Sequence, residues 1–237
     1  MLLAVDKPIW ITSYDVIRIL KHRFKGQKIG HSGTLDPMAT GLMIIGIGDG
    51  TKQLFKLQGL DKSYEAEIDF SKISDTRDLE YRKTINNLEL KMNNEKCVGL
   101  FVNEKLISKP DLKLIKKELD KLIPEYSLPL SGFSAKKVGG KKFYELAREG
   151  DIKQENRVMK INSYQILDYN FPLLKVKLDV GSGTYIRSIA YWLGQQLGLG
   201  GILSALRRTS VGNFEIEKME MKVLEGSDLK VGEIYFK

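Results

Sequence analysis

Val16, Ile17, Leu20 and Phe24 recur at the spacing of one helical face, with Thr12 and Ser13 just before them as hydroxyl caps. The spacing predicts a helix from about Ser13 to Phe24, which delivers the chain into a glycine-rich stretch. Met43 to Ile47 is a short apolar run and reads as a strand, followed by a short helix over Thr51 to Leu57. From Tyr64 to Phe70 apolar and acidic residues alternate, the mark of a half-buried strand. The stretch from Arg82 to Lys105 is polar and poorly patterned, and loops with weak strands are expected there. Pro110 to Leu122 places Leu112, Ile115, Leu119 and Leu122 on one face of a helix. Pro172 to Val180 alternates as a strand, and Ile186 to Leu197 reads as a helix ended by Gly198. No repeat, low-complexity tract or linker divides the chain. Strands and helices mix without βαβ regularity, so the expected class is α+β around a mixed, mostly antiparallel sheet.

Composition narrows the function classes. The chain has 237 residues, 42% of them hydrophobic, enough for one large domain or two small ones. Its formal net charge of +8 points to a polyanionic partner such as nucleic acid. Cys97 is the only cysteine, so an internal disulfide is impossible. The apolar run Leu2 to Val5 is too short for a signal peptide and no stretch has membrane-spanning length, so a cytoplasmic protein with no membrane partner is expected. His22, His31 and one cysteine do not make a zinc set, and metal catalysis is not expected. The run from Leu42 to Lys52 ends in a glycine-rich turn but fits neither GxGxxG nor the P-loop pattern, which argues against a mononucleotide site.

The most specific stretch is GHSGTLDPMATG from Gly30 to Gly41. It sets one carboxylate, Asp36, among small and backbone-defining residues. Pro37 fixes its own φ and pushes Asp36 towards an extended conformation. This loop resembles the signature of the bacterial tRNA pseudouridine-55 synthases, the TruB family. Four further blocks follow in the family's order: DKPIWITS from Asp6, KSYEAEIDFSKISDTRD from Lys62, FSAKKVGGKKFYELAREG from Phe133, and GSGTYIRSIAYWLGQQLGLGGILSALRRTSVG from Gly181. The resemblance covers most of the chain.

The resemblance implies a pseudouridine-synthase-like fold with a basic thumb insertion at about 122–151, within a single catalytic domain over 1–237 and without the C-terminal PUA domain of many relatives. It implies a tRNA isomerase that acts on the T-loop uridine, needs no cofactor and no metal, and works as a monomer on the T-arm. Asp36 would be the catalytic aspartate, attacking C6 of the base or the ribose, with Arg187 as its arginine partner. Tyr64 would stack on the flipped uridine and take part in loss of the C5 proton. His31 would hold the vacated loop open, and Tyr185 would contact substrate. Lys136, Lys137, Lys141, Lys142 and Arg148 would grip RNA phosphates through the thumb. Lys52 and the pair Arg207 and Arg208 read as RNA-backbone or core-bridging cations. The runner-up is a tRNA-binding folding chaperone whose isomerase activity is secondary or lost. A guide-RNA-dependent synthase is disfavoured, since those proteins carry the C-terminal domain.

Three departures from the family pattern stand out. Trp10 occupies a position that is generally glycine, Leu128-Pro129-Leu130 replaces a Gln-x-Pro before the thumb, and Tyr191-Trp192 replaces the usual Asp before Leu-Gly. Trp10 and Tyr191-Trp192 are expected to alter packing rather than reaction, and the second leaves the anchoring of the thumb base open.

Overall fold

The alternation that predicts strands and the 3.6-residue spacing that predicts helices are both met in a computed structural model, which describes residues 1–80, 86–93, 96–130, 137–138, 141–142 and 156–234. In chain order the first elements are β1 (Leu2–Lys7), α1 (Ser13–Arg23), β2 (Ile29–His31), β3 (Thr40–Ile47), α2 (Leu54–Gln58) and β4 (Lys62–Asp69). Then come β5 (Lys72–Ile73), β6 (Asn86–Asn87), β7 (Glu89–Asn93), β8 (Lys96–Val102), β9 (Lys105–Ser108), α3 (Leu112–Asp120) and β10 (Glu125–Pro129). Next are β11 (Lys137–Val138), β12 (Lys141–Lys142), β13 (Asn156–Asn170), β14 (Leu173–Val180) and α4 (Ile186–Gln196). The last strands are β15 (Ile202–Val211), β16 (Phe214–Glu215), β17 (Lys222–Val223) and β18 (Lys230–Ile234).

Two units divide these residues. One comprises Met1–Glu65, Asp179–Ser182 and Ala205–Lys237, the other Ala66–Leu178 and Gly183–Ser204. In the first unit β3 is the central strand and is buried along almost its whole length, which explains its unbroken apolar run. β1 pairs with it antiparallel from Leu2 opposite Gly46 to Lys7 opposite Gly41, and β18 pairs antiparallel with the other edge of β1. The end of β15 runs parallel to β3, with Arg207 opposite Thr40 and Arg208 opposite Gly41. Leu2, Ala4, Leu42, Ile44, Leu54 and Val211 pack together as the core. Gly46, inside β3, has a structural reason: a Cβ there would lie 2.7 Å from the carbonyl oxygen of Gly50 in the turn that follows.

Helix α1 begins as expected. The Thr12 hydroxyl accepts from the Asp15 amide at 3.0 Å while the Asp15 carboxylate accepts from the Thr12 amide at 2.8 Å, a reciprocal capping box. Val16, Ile17 and Leu20 are buried.

In the second unit the strand order is β10-β13-β14-β4, with β10 and β13 antiparallel from Glu125 opposite Lys160 to Pro129 opposite Asn156. Helix α3 is capped by Asp111, whose carboxylate accepts from the Leu114 amide at 2.7 Å, and buries Ile115 and Leu119. Leu112, expected on that face, is 43% exposed in the first turn. The polar stretch expected as loops and weak strands contains β6 and the antiparallel ribbon β7-β8-β9, with Leu100 fully buried and β7 exposed throughout. β13 and β15 were not anticipated. Most of the thumb, including Lys136 and Arg148, lies outside the described residues; within it β11 and β12 pair antiparallel with Lys137 opposite Lys142.

Candidate active site

Asp36 occupies the loop between β2 and β3, and that loop is tied down on every side. The Ser13 hydroxyl, at the start of α1, donates to the Leu35 carbonyl at 3.0 Å and accepts from the Leu35 amide at 2.9 Å. The Ala39 amide closes a turn onto the Asp36 carbonyl at 3.0 Å. The Pro37 carbonyl accepts from the Trp10 amide at 2.8 Å and from Lys7 Nζ at 3.1 Å. Lys7 is fully buried, and its ammonium also donates to the carbonyls of Pro8 at 2.9 Å and Ile11 at 2.7 Å. Burial pulls its pKa down from 10.5 to about 8, against the attraction of Asp36 and then Asp15. Lysine thus places a positive charge under the loop that carries the carboxylate.

Arg208 does the same from β15. It is buried, with Nε donating to the Leu42 carbonyl at 2.7 Å and Nη2 to the Gly33 carbonyl at 3.1 Å. Of the two earlier readings of this arginine, the core-bridging one describes these contacts. Gly41 is required beside it: its φ is +101° and a Cβ there would approach the Arg208 amide nitrogen to 2.8 Å. His31 is half-buried at the end of β2, and its Nδ1 finds no hydrogen-bond partner among the described residues; the buried Ser32 hydroxyl likewise. Burial, and next the charge of Arg208, lower the His31 pKa from 6.5, so the ring is neutral at pH 7.

Tyr64 is buried on β4, on the same face of the strand as Ala66 and Ile68. Two residues earlier Lys62 is caged much as Lys7 is, with Nζ donating to the carbonyls of Gln58 at 2.8 Å and Leu60 at 2.5 Å. Burial and then Arg208 lower its pKa to about 8. Lys52 is exposed on the 3₁₀ turn Gly48–Gln53, paired with Asp49 at 2.7 Å. Arg207 makes two hydrogen bonds of 2.9 Å to the Asp6 carboxylate.

The first unit therefore places His31 at the end of β2 and Asp36 on the anchored loop that follows, and holds Tyr64 and Lys52 on other elements. Arg187 and Tyr185 belong to the second unit, at the start of α4. Tyr185 is the residue before the helix and is half-buried, its amide donating to Met159 Sδ at 3.4 Å. Arg187 is buried in the first turn. Its Nη1 lies 3.2 Å from the Asp78 carboxylate and donates to the Thr76 carbonyl at 3.1 Å. Asp78 is itself fully buried, and its Oδ1 accepts from the Glu80 amide at 2.9 Å.

Sequence reading gave no role to Asp78, Lys7 or Arg77. Lys7 stands in DKP and Asp78 in SDTRD, blocks that the resemblance includes but whose spacing carries no chemical signal. Among the described residues no group of three or more His, Cys, Asp or Glu is placed to hold a metal ion. No helix there is long and apolar enough to cross a membrane.

With this geometry in place, comparison with known proteins is informative. The family model "TruB family pseudouridylate synthase (N terminal domain)" matches residues 21–186. The tRNA pseudouridine synthase B of Clostridium tetani is 36% identical over 214 residues, covering 90% of this chain and 68% of that protein. That of Clostridium acetobutylicum is 38% identical over 216 residues, with coverage of 90% and 68%. Among solved structures, a Cbf5-Nop10-Gar1 complex matches with a TM-score of 0.63 at 22% identity, covering 90% of this chain and 49% of the solved one. An H/ACA RNP bound to a substrate RNA containing 2'-deoxyuridine matches with a TM-score of 0.61 at 21% identity, covering 90% and 48%. This chain spans about half the length of those solved chains, and the likeness is one of fold.

Proposed function

The chain belongs to the TruB family of pseudouridylate synthases, and from that premise we propose that it is a tRNA pseudouridine synthase isomerising the T-loop uridine at position 55. The reaction breaks the bond between N1 and C1′, turns the uracil, joins C5 to C1′ and releases the C5 proton. Nothing is oxidised and no outside group is transferred, so a nucleophile, a pocket that retains the base and a proton acceptor suffice. Asp36 is the nucleophile, at C6 of the uracil or at the ribose. Arg187 supplies the positive charge that makes an ionised carboxylate tolerable in a water-poor pocket, and Asp78 orients Arg187. Tyr64 stacks on the extruded uracil and handles the C5 proton. His31 and Tyr185 contact the nucleotide. Lys52, Lys136, Lys137, Lys141, Lys142 and Arg148 meet phosphates, which give affinity rather than base choice. The protein acts as a cytoplasmic monomer on the T-arm.

The observation that carries this reading is the Asp36 loop, where one carboxylate is held by Ser13, Lys7 and Trp10 through its neighbours Leu35 and Pro37. The test is a position-resolved map of pseudouridine in tRNA incubated with the purified protein. One modified T-loop uridine is expected, in full tRNA and in an isolated T-arm stem-loop. Asp36→Asn should abolish it while tRNA affinity stays within about tenfold, or 1.4 kcal/mol. Tritium release from C5-labelled uridine by the Asn variant would remove Asp36 from the nucleophile role.

A further inference from the structure

Arg77 is a large side chain on a left-handed backbone, with φ of +64°, and it is buried. For an L residue that conformation is unfavourable, and burying a guanidinium adds a desolvation cost. A residue that bears both costs is held by specific contacts, and here they are explicit. Nη1 donates to the Pro129 carbonyl at 2.6 Å. The guanidinium carbon lies 4.1 Å from the centre of the Tyr191 ring, within cation–π range. Burial is the first cause of a pKa lowered to about 10, with the nearby charge of Arg187 adding to it.

The placement of these contacts gives them meaning. Thr76 and Asp78, on either side of Arg77, both bind Arg187. Ser188, next to Arg187, donates its hydroxyl to the same Pro129 carbonyl at 2.7 Å. One carbonyl at the end of β10 thus receives a hydrogen bond from a neighbour of Asp78 and another from a neighbour of Arg187. Leu128 and Leu130 bury on either side of it. Farther along the same pair of elements, the rings of Tyr126 on β10 and Trp192 on α4 meet at 5.1 Å. The thumb base that lacks Gln-x-Pro is therefore tied through its main chain and its flanking leucines.

We propose that Arg77 is a positioning residue for Arg187: by binding the Pro129 carbonyl alongside Ser188 and stacking on Tyr191, it locks β10, the Thr76–Asp78 turn and the first turn of α4 into one frame that fixes the guanidinium of Arg187. This inference rests on the proposed catalytic role of Arg187. Lysine cannot replace Arg77, because an ammonium lacks the planar fork that bonds Pro129 while stacking on Tyr191.

The experiment compares wild type with Arg77→Lys, Arg77→Gln and Tyr191→Leu, well below each variant's melting temperature. With saturating tRNA, the single-turnover rate of pseudouridine formation should fall about tenfold or more in Arg77→Gln, while tRNA Kd changes by less than about threefold. Arg77→Lys should recover little of the rate, and Tyr191→Leu should show a smaller loss of the same kind. Independently of turnover, amide hydrogen exchange in peptides covering residues 125–130 and 186–190 should be about tenfold faster in Arg77→Gln. Wild-type rates with unchanged exchange would overturn the proposal, as would full rescue by lysine. If Arg77→Gln does not fold, Arg77→Lys and Tyr191→Leu decide the matter by the same rate and exchange criteria. A wild-type protein that leaves tRNA unmodified would instead sink the functional reading, and the exchange experiment would still judge the frame.

Discussion

Trp10 shows how a single side chain can run against its backbone. Its φ is +67°, a region where glycine is at ease and a bulky residue is strained, yet its amide is held by the Pro37 carbonyl and its side chain is 43% exposed. Replacing an exposed residue by glycine is ordinarily worse than replacing it by alanine, since glycine loses more chain entropy on folding. Here the order should reverse. Trp10→Gly relieves the left-handed strain and Trp10→Ala keeps it, so the glycine variant should be the more stable by about 1 kcal/mol. Urea midpoints of the two variants measure this, and an alanine variant of equal or higher stability would show that the backbone at this position carries no strain. The family resemblance marks the same position as generally glycine, so the conflict is visible in the sequence. The partners of Arg187 were not visible there: the Thr76 carbonyl it binds is 111 residues away along the chain. Lys7 and Lys62 add a pH signature. Each releases its proton near pH 8 when folded, against 10.5 for the unperturbed side chain, so between those values the unfolded chain binds more protons. Stability contributed by these groups is fully present above the unfolded pKa and is lost as pH falls through about 8. Urea midpoints should therefore rise as pH is raised from about 7.5 to 9.5, and the rise should shrink in Lys62→Met; parallel curves would place no titrating lysine at this site.

Among the elements, those with a regular or unbroken apolar pattern were legible, and those whose pattern polar residues interrupt were not. α1, β4 and β14 bury regular positions, so period alone found them, while β3 is buried along almost its whole length and was found as an apolar run. β13 buries only Met159, Ile161 and, in part, a few others over fifteen residues, which leaves its pattern polar. β15 buries Arg208 and Ser210 where apolar residues would be expected, so its alternation is masked by polar side chains serving internal bonds. The join between α1 and the Asp36 loop allows a sharp comparison. Thr12→Ala removes a solvent-exposed cap and should cost about 1 kcal/mol. Ser13→Ala is the smaller chemical change but strips a buried hydroxyl from both the amide and the carbonyl of Leu35. Each buried backbone group left unpaired costs about 1–3 kcal/mol, so Ser13→Ala should destabilise more than Thr12→Ala. Equal urea midpoints would mean that water reaches Leu35 and that the loop is not clamped by α1.

For the whole molecule, the formal net charge of +8 can act in two ways, as a diffuse field or through particular phosphate contacts. Lys136, Lys137, Lys141 and Lys142 crowd into seven positions, and β11 and β12 set Lys137 opposite Lys142 across a two-residue ladder. Replacing the four by alanine halves the net charge, so the comparison needs a charge-matched control. Lys91, Lys105, Lys113 and Lys117 are exposed on β7, β9 and α3 and provide one when changed together to alanine. Each lost phosphate contact lowers the slope of log K against log salt by about 0.7 to 0.9. The thumb variant should show a slope flatter by about two or more and a loss of affinity nearly uniform across RNA sequences, while the control keeps a slope within about one of wild type. If the two variants flatten equally, the charge acts as a diffuse field and the lysines of β11 and β12 hold no particular phosphate. If neither flattens, RNA binds without these lysines.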